Sequence, residues 1–398
     1  MIANAKPIDA LNTSLDQLRS GLYEHWYRLQ DSSSGILPGG IGRSVFEQCL
    51  AYIGVNPKSA RGEAYLFLAG SVGESPFFEK LDAPQYHNHI HACEAMVCSA
   101  FLLKEEYRDN PEKLQTLGPR LILAMMVHDL DHQGLPPRFH KEAEHHSAGL
   151  AVELMENAII ELDDPLKTSS LSATSQSILK KKEFQISVFS DIDCIVEGTE
   201  FQTEAARSHL LYRRHVLDNM PIPSASGAVE PDGITSDGGI AGPESRRVDM
   251  IRLNTLAAEA DVLASSLPGG VLLGQQLAKE MRLPSICSFE GRLVFLKSMA
   301  IFSSHASHSL GVHEQVQSQI WTIEMRGCKA LDAELYEQGS GRLVKNSFGE
   351  LLPGRDTPGI FSSQIKGSCR APGTLFQHEE SSVSQPGHST HSSARRPV

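Results

Sequence analysis

The sequence predicts an all-α fold, a compact bundle of many helices, on two observations. Apolar residues recur at spacings of three and four along most of the chain, which is the period of a buried helix face. The strict alternation of apolar and polar residues that marks a half-buried strand is missing, and no Asp-Gly turn joins two apolar runs. We therefore expect helices to pack on helices around one core.

The helix boundaries follow from the apolar period and from the glycines and prolines that interrupt it. In chain order, the predicted helices span 8–30, 44–52, 60–71, 86–107, 120–131, 142–160, 179–197, 203–217, 245–266, 270–281, 289–310 and 314–336. Pro119 would stand in the first turn of the helix that starts beside it, where its missing N–H is not needed. Gly134 and Pro136 would end that helix.

Composition divides the chain into three parts. Residues 41–337 carry most of the helical pattern and are predicted to form one domain, with a disordered insertion at 221–244 that is rich in Gly, Pro, Ser and Asp. Residues 1–40 are predicted to be an N-terminal helical extension. Residues 338–398 are rich in Ser, His, Gly and Pro and are predicted to be a low-complexity tail.

The charge of the chain restricts its partners. The net charge is −12 and the pI is near 5.8, which argues against a nucleic-acid-binding surface and against a nuclease. A small phosphate ester is still allowed, because bound cations can reverse the local field of an acidic protein.

The cysteines and the N-terminus predict a cytoplasmic protein with no membrane partner. The seven cysteines are scattered and form no CxxC pair, which is typical of reduced thiols rather than of disulfides. The first residues do not follow the pattern of a signal peptide. The apolar run from Leu121 to Val127 is too short to span a bilayer.

Histidines are concentrated in one stretch, and this is the strongest chemical signal. Eight of the 17 histidines fall between residues 86 and 146: His87, His89, His91, His128, His132, His140, His145 and His146. Histidine is a metal ligand and also an acid or base near neutral pH. A single histidine is more often a surface or hydrogen-bonded core residue, so the argument depends on how these eight are spaced.

The spacing favours a divalent metal site. His87 and His91 are four residues apart, as are His128 and His132, so that each pair would share a helix face. Asp129 follows His128 at the end of a buried apolar run, where a carboxylate is costly unless it is paired or bound to a cation. Imidazole nitrogens and carboxylate oxygens are ligands for such cations.

Three motifs resemble one known family. They are Tyr-His-Asn-His-Ile-His-Ala at 86–92, His-Asp-Leu-Asp-His-Gln-Gly at 128–134 and Glu-His-His at 144–146. In order and spacing they resemble the class I 3′,5′-cyclic-nucleotide phosphodiesterases, which belong to the His-Asp metal phosphohydrolases. A lone His-Asp pair would be weak evidence, whereas the first two motifs at this distance are specific. The resemblance implies an all-helical catalytic domain in a divergent member.

The resemblance also implies two divalent metal ions. His91, His128, Asp129 and a later aspartate would hold a tightly bound, zinc-type ion, and Asp129 would bridge to a second ion, magnesium or manganese. Asp261, in the sequence Ala-Glu-Ala-Asp, fits the later aspartate. It lies further along the chain than the family pattern suggests, and the insertion at 221–244 accounts for the excess. His87 would be the general acid.

Further residues take supporting roles by the same resemblance. His132, His145 and His146 would orient ligands and water, although packing and capping explain them about as well. The segment 194–201 is similar to the family's Thr-Asp-Met segment, with Glu200 in place of the aspartate in the metal pocket. No role is predicted for His89 or His140.

The half of the site that would hold the base departs from the family pattern. Pro137 and Ala143 stand where the family has Asn and Glu. The family's base-binding Gln precedes a Phe by three residues. Here Phe295 is preceded by Arg292, whereas Gln319 has the amide but no Phe at that distance. All three are candidate substrate-binding residues, and the first register is preferred.

The predicted activity is metal-dependent hydrolysis of cyclic AMP or cyclic GMP to the nucleoside 5′-monophosphate. A hydroxide between the two metals would attack phosphorus, and His87 would protonate the leaving oxygen. One alternative is a His-Asp superfamily hydrolase of another nucleotide or phosphoester. Another is an inactive, metal-retaining sensor or scaffold. The expected partner is a small cyclic nucleotide, and a homodimer is compatible with the sequence.

Overall fold

The computed structural model describes part of the chain. The described residues are 7–31, 40–78, 84, 86–134, 141–163, 171–200, 203–221, 243–280, 288–331, 344–345 and 351–352. Most of the predicted insertion and tail lies outside these residues, as do Pro137, His140 and Phe201.

The predicted all-α class is confirmed. The helices are α1 (Pro7–Asp31), α2 (Ile41–Tyr52), α3 (Ala60–Gly73), α4 (His89–Glu106), α5 (Pro111–Val127), α6 (Glu142–Ile160), α7 (Ala173–Lys180), α8 (Lys182–Glu197), α9 (Glu204–Tyr212), α10 (Pro243–Ser266), α11 (Val271–Glu280), α12 (Phe289–Ser298), α13 (His305–Leu310) and α14 (Val312–Arg326). Short 3₁₀ turns at Glu161–Asp163 and Pro268–Gly270 and a π turn at Arg213–Leu217 extend some of them. Within the described residues, the only strands are Val344–Lys345 and Leu351–Leu352, which pair antiparallel.

Helix α4 lies at the centre of the bundle. It contacts α1, α2, α5, α10 and α13. Its side chains are apolar or small on nearly every side, and Met96, Leu102 and Leu103 are fully buried. Burial of one such side chain stabilises the fold by about 1.5–3 kcal/mol. Because α4 and α5 are buried in this way, the residues at their ends near the site are held by the core.

The N-terminal helix α1 packs into the same core. Ile8, Leu11 and Leu15 are buried among the apolar residues of the bundle, and α1 contacts both α4 and α13. Arg19 Nε also donates to Glu94 Oε1 of α4 at 2.5 Å, and the side chain of Glu94 is fully buried. The domain boundaries predicted from composition stay predictions, but α1 and α4 share one packed interface.

Several predicted helix boundaries differ from the structure, and side-chain caps explain two of the differences. Helix α5 begins at Pro111 rather than near residue 120, because the Asn110 side chain accepts from the N–H of Lys113 at 3.0 Å and caps an earlier start. Pro119 therefore lies inside α5. The predicted helix 289–310 is divided into α12 and α13, since Ser304 caps a new start by accepting from the N–H of Ser307.

Candidate metal centre

The side chain of Asn88 sets the position of His91. Its carboxamide oxygen accepts from the N–H groups of Ile90 at 2.9 Å and His91 at 3.3 Å, so α4 begins at His89. His87 consequently precedes the helix, and the prediction that it shares a helix face with His91 was wrong. The rings still lie close, with centroids 6.2 Å apart, and His91 is buried.

The turn after α5 presents His128 and Asp129. Helix α5 ends at Val127, and the ring Nδ1 of His128 lies 2.8 Å from the carbonyl oxygen of Met125. A carbonyl can only accept, so Nδ1 carries a proton, and in the neutral ring Nε2 then has the lone pair that a metal requires. Asp131 continues the turn in the left-handed region, with φ 62°.

Helix α10 supplies Asp261 from a distant part of the sequence. Apolar residues on either side of it, including Ala257, Ala260 and Ala264, are buried against the bundle. The side chain of Asp261 is 21% exposed and faces the two histidines. The predicted metal ligand from the later part of the chain therefore reaches the same place as the histidine motifs.

The side chains of His91, His128, Asp129 and Asp261 converge on one point. One ligand atom from each lies within 4.8 Å of the others. His91 Nε2 lies 3.0 Å from Asp261 Oδ1, 3.3 Å from His128 Nε2 and 3.4 Å from Asp129 Oδ2. His128 Nε2 lies 3.1 Å from Asp129 Oδ2 and 3.3 Å from Asp261 Oδ1.

These distances fit a bound zinc-type ion. Tetrahedral bonds of about 2.0–2.1 Å place neighbouring ligand atoms about 3.3 Å apart. The buried Asp129 Oδ2 makes no hydrogen bond of good geometry. The ring nitrogens near it, those of His128 at 3.1 Å and His91 at 3.4 Å, would be ligands of the same ion. Two imidazoles and two carboxylates are a suitable donor set for zinc and for other divalent cations.

The ionisation states of the two carboxylates also favour binding of a cation. Burial alone would raise the pKa of Asp261, but hydrogen bonds from His128 and His91 outweigh it and hold this pKa below its ordinary value. Burial likewise would raise the pKa of Asp129, whereas the charges of His128 and His87 hold it well below normal. The two carboxylates are thus held in the ionised form, which is the form that binds a cation.

His87 lies beside this cluster and is held by Glu280, the last residue of α11. The Nδ1 atom of His87 hydrogen-bonds Glu280 Oε1. The other carboxylate oxygen accepts from the backbone N–H of Tyr86 at 2.8 Å and of His87 at 3.3 Å. Burial would lower the pKa of His87, but Asp129 and Glu280 outweigh it and raise that pKa.

Glu280 was not predicted from the sequence. It is one of 48 acidic residues, and it ends an ordinary amphipathic helix, so no local pattern sets it apart. Its role depends on a contact with a residue 193 positions away, almost half the length of the chain. Its position becomes apparent only in the fold, which brings the end of α11 against the histidine motif at 86–92.

His132 stacks on His87. Their ring centroids are 3.9 Å apart, and His132 Nδ1 accepts from the N–H of Gly134 at 3.0 Å. Its Nε2 therefore carries the proton in the neutral ring. Burial and the nearby charge of His87 lower the pKa of His132. The predicted supporting role for this residue stays a prediction, and its contacts are compatible with it.

Glu144 is a further acidic group near the centre. It follows the position where the family pattern has Glu and this chain has Ala143. Its Oε2 atom is buried without a hydrogen-bond partner. Burial raises the pKa of Glu144, and the charges of Asp129, Glu200 and Asp261 raise it further. This carboxylate therefore shares the negative field of the metal centre.

The other predicted supporting residues lie further out. His146 Nε2 is 3.1 Å from Asp131 Oδ2, and His145 Nδ1 is 3.2 Å from Glu197 Oε1; both histidines are largely exposed. Glu200 is buried and accepts from the backbone N–H and hydroxyl of Thr203, so it caps the start of α9. Their predicted roles are not tested by these contacts.

Arg292 and Gln319 are buried at the C-terminal end of α10, and Phe295 is buried beside Arg292. Arg292 donates to backbone carbonyls at the end of α10 and to Gln319. Phe295 belongs to the core. The Cζ atom of Arg292 lies over the Phe295 ring, 5.5 Å from the ring centroid. Their role in binding a base stays a prediction.

Two cavities lie next to the metal centre. One is lined by His87, Asp129 and His132 together with Phe77 and Phe78. The other lies on the Asp261 side and is also lined by Thr199, His209, Val262 and Met299. Both cavities thus border residues of the cluster.

Comparison with known families decides which one this segment resembles. Residues 86–163 match the model of the 3′5′-cyclic nucleotide phosphodiesterase family. The predicted resemblance is thereby confirmed, over a segment that extends from Tyr86 through α6. No curated protein matches the chain. The phosphodiesterase-family segment contains His87, His91, His128 and Asp129, whereas Asp261 and Glu280 lie beyond it and join it only in the folded structure.

The family is one that binds divalent metal, and the His/Asp group described above could hold such an ion. Within the described residues, no helix has both the length and the apolar character needed to cross a membrane. The predicted cytoplasmic location and homodimer stay predictions.

Proposed function

We propose that the chain hydrolyses 3′,5′-cyclic nucleotides to nucleoside 5′-monophosphates at this centre. The observation that carries the proposal is the convergence of His91, His128, Asp129 and Asp261 beside the His87–Glu280 pair. Three of the four ligands and His87 lie in the phosphodiesterase-family segment. The fourth comes from another helix, which makes a chance arrangement of motif residues a poor explanation.

The four converging groups would hold a zinc-type ion. Asp129 and Glu144 would face a second cation, magnesium or manganese, because both carboxylates contribute to the negative field there. When bound, the cations supply Lewis acidity, which makes water a nucleophile near neutral pH and offsets charge on the phosphoryl group.

His87 would protonate the leaving 3′ oxygen. Its Nδ1 atom is bonded to Glu280, so Nε2 is the ring nitrogen that can donate to substrate. The raised pKa of His87 keeps a fraction of the ring protonated near neutral pH. Glu280 also binds the backbone N–H of the same residue and thus fixes the orientation of the ring.

A panel of substrates and metals tests the proposal. Metal-free protein should be inactive, and zinc with magnesium or manganese should restore release of 5′-nucleotide from cyclic AMP or cyclic GMP. Asp129→Asn should abolish this activity, while Asp109→Asn, at an exposed position after α4, should leave it unchanged. Full metal-dependent activity in Asp129→Asn would refute the assignment.

One observation favours a second candidate, a phosphohydrolase of another nucleotide or phosphoester. Arg292 stands in the position of the family's base-binding Gln, and its polar groups are engaged within the protein. Pyrimidine cyclic nucleotides and simple phosphodiesters therefore belong in the panel. Turnover of one of them, with none of cyclic AMP or cyclic GMP, would favour this candidate. The complete ligand set argues against an inactive sensor or scaffold.

A further inference from the structure

The C-terminal end of α10 is capped by an arginine from another helix. The last carbonyl groups of a helix have no partner within it and are often satisfied by a glycine turn. Here Nη1 of Arg292 donates to the carbonyl of Ser265, and Nη2 donates to Ser266 at 3.1 Å and Leu267 at 2.8 Å. The positive guanidinium also suits the negative end of the helix dipole.

Gln319 of α14 completes this arrangement. Its Oε1 atom accepts from Arg292 Nη2 at 2.9 Å, and its Nε2 atom donates to the carbonyl of Ser266 at 2.8 Å. Gln319 is 1% exposed and Arg292 is 5% exposed. Both ends of the amide and both arms of the guanidinium are thus engaged in the interior.

The clamped end of α10 is joined to the metal centre by two routes. Asp261 precedes Ser265 by about one helical turn, so a shift of the last turn of α10 would also move Asp261. The hydroxyl of Ser265 hydrogen-bonds the Tyr86 hydroxyl at 2.9 Å. The ring of Tyr86 lies against the ring of His91, with centroids 4.4 Å apart. The backbone N–H of Tyr86 donates to Glu280.

We propose that Arg292 and Gln319 are positioning residues, which fix the last turn of α10 and thereby hold Asp261 and Tyr86 at the metal centre. The inference rests on the proposed metal-dependent function. It assigns to these two residues a role in metal binding instead of contact with the base. Neither of them lines either of the two described cavities, which agrees with this role.

Three variants and a control test the proposal. Arg292→Met removes the guanidinium. Arg292→Lys keeps the positive charge but lacks the two arms of the guanidinium, and Gln319→Met removes the amide. Arg108→Met is the control, since the Arg108 side chain is 58% exposed and lies at the opposite end of α4 from His91. Each protein is loaded with zinc and dialysed against graded chelator, and its metal content is measured.

Arg292→Met should bind zinc about 10–100-fold more weakly than the unmodified chain, which is the usual loss when a group that orients a ligand is removed. Arg292→Lys and Gln319→Met should lose less, and Arg108→Met nothing. The kcat of the Arg292 variants should fall at limiting zinc and recover at saturating zinc, with KM changed by no more than about twofold. The ratio of kcat/KM for cyclic AMP and cyclic GMP should not change.

Zinc retention by a folded Arg292→Met protein equal to that of the control would overturn the proposal. So would a shift of about tenfold or more in the cyclic AMP to cyclic GMP ratio, because a base contact changes discrimination by that order. If Arg292→Met does not fold, Arg292→Lys and Gln319→Met carry the same comparison. An unmodified chain that retains zinc but hydrolyses no phosphoester would refute the proposed function alone, whereas one that retains no metal would refute both.

Discussion

Glu280 binds both the ring and the backbone N–H of His87, and this pairing predicts a pH effect. The carboxylate raises the pKa of His87, so the proton donor persists to higher pH. Glu280→Gln should therefore shift the alkaline limb of kcat to lower pH, and His87→Gln should lower kcat by about 10²–10⁴. The measurement is kcat against pH at saturating metal. An alkaline limb that does not move in Glu280→Gln would contradict this role.

His209 predicts a loss of stability in acid. Burial lowers its pKa from 6.5 to about 4, so the neutral ring is favoured in the folded chain. The unfolded chain then binds more protons between these two values, and the free energy of unfolding falls as the pH is lowered through this window. The loss should reach about 3 kcal/mol.

The measurement is chemical unfolding of the chain and of His209→Gln from pH 7 to pH 4. The amide can still bond the Ser303 hydroxyl, which lies 2.7 Å from His209 Nδ1. Subtracting the two curves isolates the histidine from other groups that titrate, including the nearby Glu259. A difference that stays constant with pH would refute the prediction.

The residues that sequence could identify are those with short-range signals. His91, His128 and Asp129 belong to motifs of fixed spacing, and Asp261 was found by its alanine-rich context. Glu280 could not be found, because its meaning depends on a contact with a residue 193 positions away. For the same reason the clamp formed by Arg292 and Gln319 becomes visible only when α10, α12 and α14 are packed together.

At the level of helices, the apolar period predicted the class and most of the order, but capping decided the ends. The helical pattern of apolar residues reaches back to Tyr86, yet α4 starts at His89 because Asn88 caps it. Ser304 divides a predicted helix in the same way, and its N–H donates to the buried carboxylate of Glu259 at 2.7 Å. A side chain that caps a new helix start competes with continuation of the previous helix, and the apolar period does not predict which of the two forms.

Helix α1 is predicted to contribute to the stability of the whole bundle. Leu11 is fully buried in the core that α4 organises, so Leu11→Ala should lower the free energy of unfolding by about 2–5 kcal/mol. Asp16→Ala is the matched control, since the Asp16 side chain is 74% exposed, and it should change stability by no more than about 0.5 kcal/mol. Urea unfolding measures both, and equal curves would show that α1 is an independent extension.

At the scale of the whole molecule, a metal ion would connect parts of the chain that are far apart in sequence. Its ligands come from α4, the turn after α5 and α10. The folded chain holds these groups together and the unfolded chain does not, so zinc should stabilise the fold, by about 4 kcal/mol at a thousand times its Kd. Thermal unfolding with and without chelator should show a higher Tm with zinc. Asp261→Asn should lose most of this increase, and Asp109→Asn, at an exposed position after α4, should keep it. An equal rise in Tm for Asp261→Asn and the unmodified chain would place the bound zinc elsewhere.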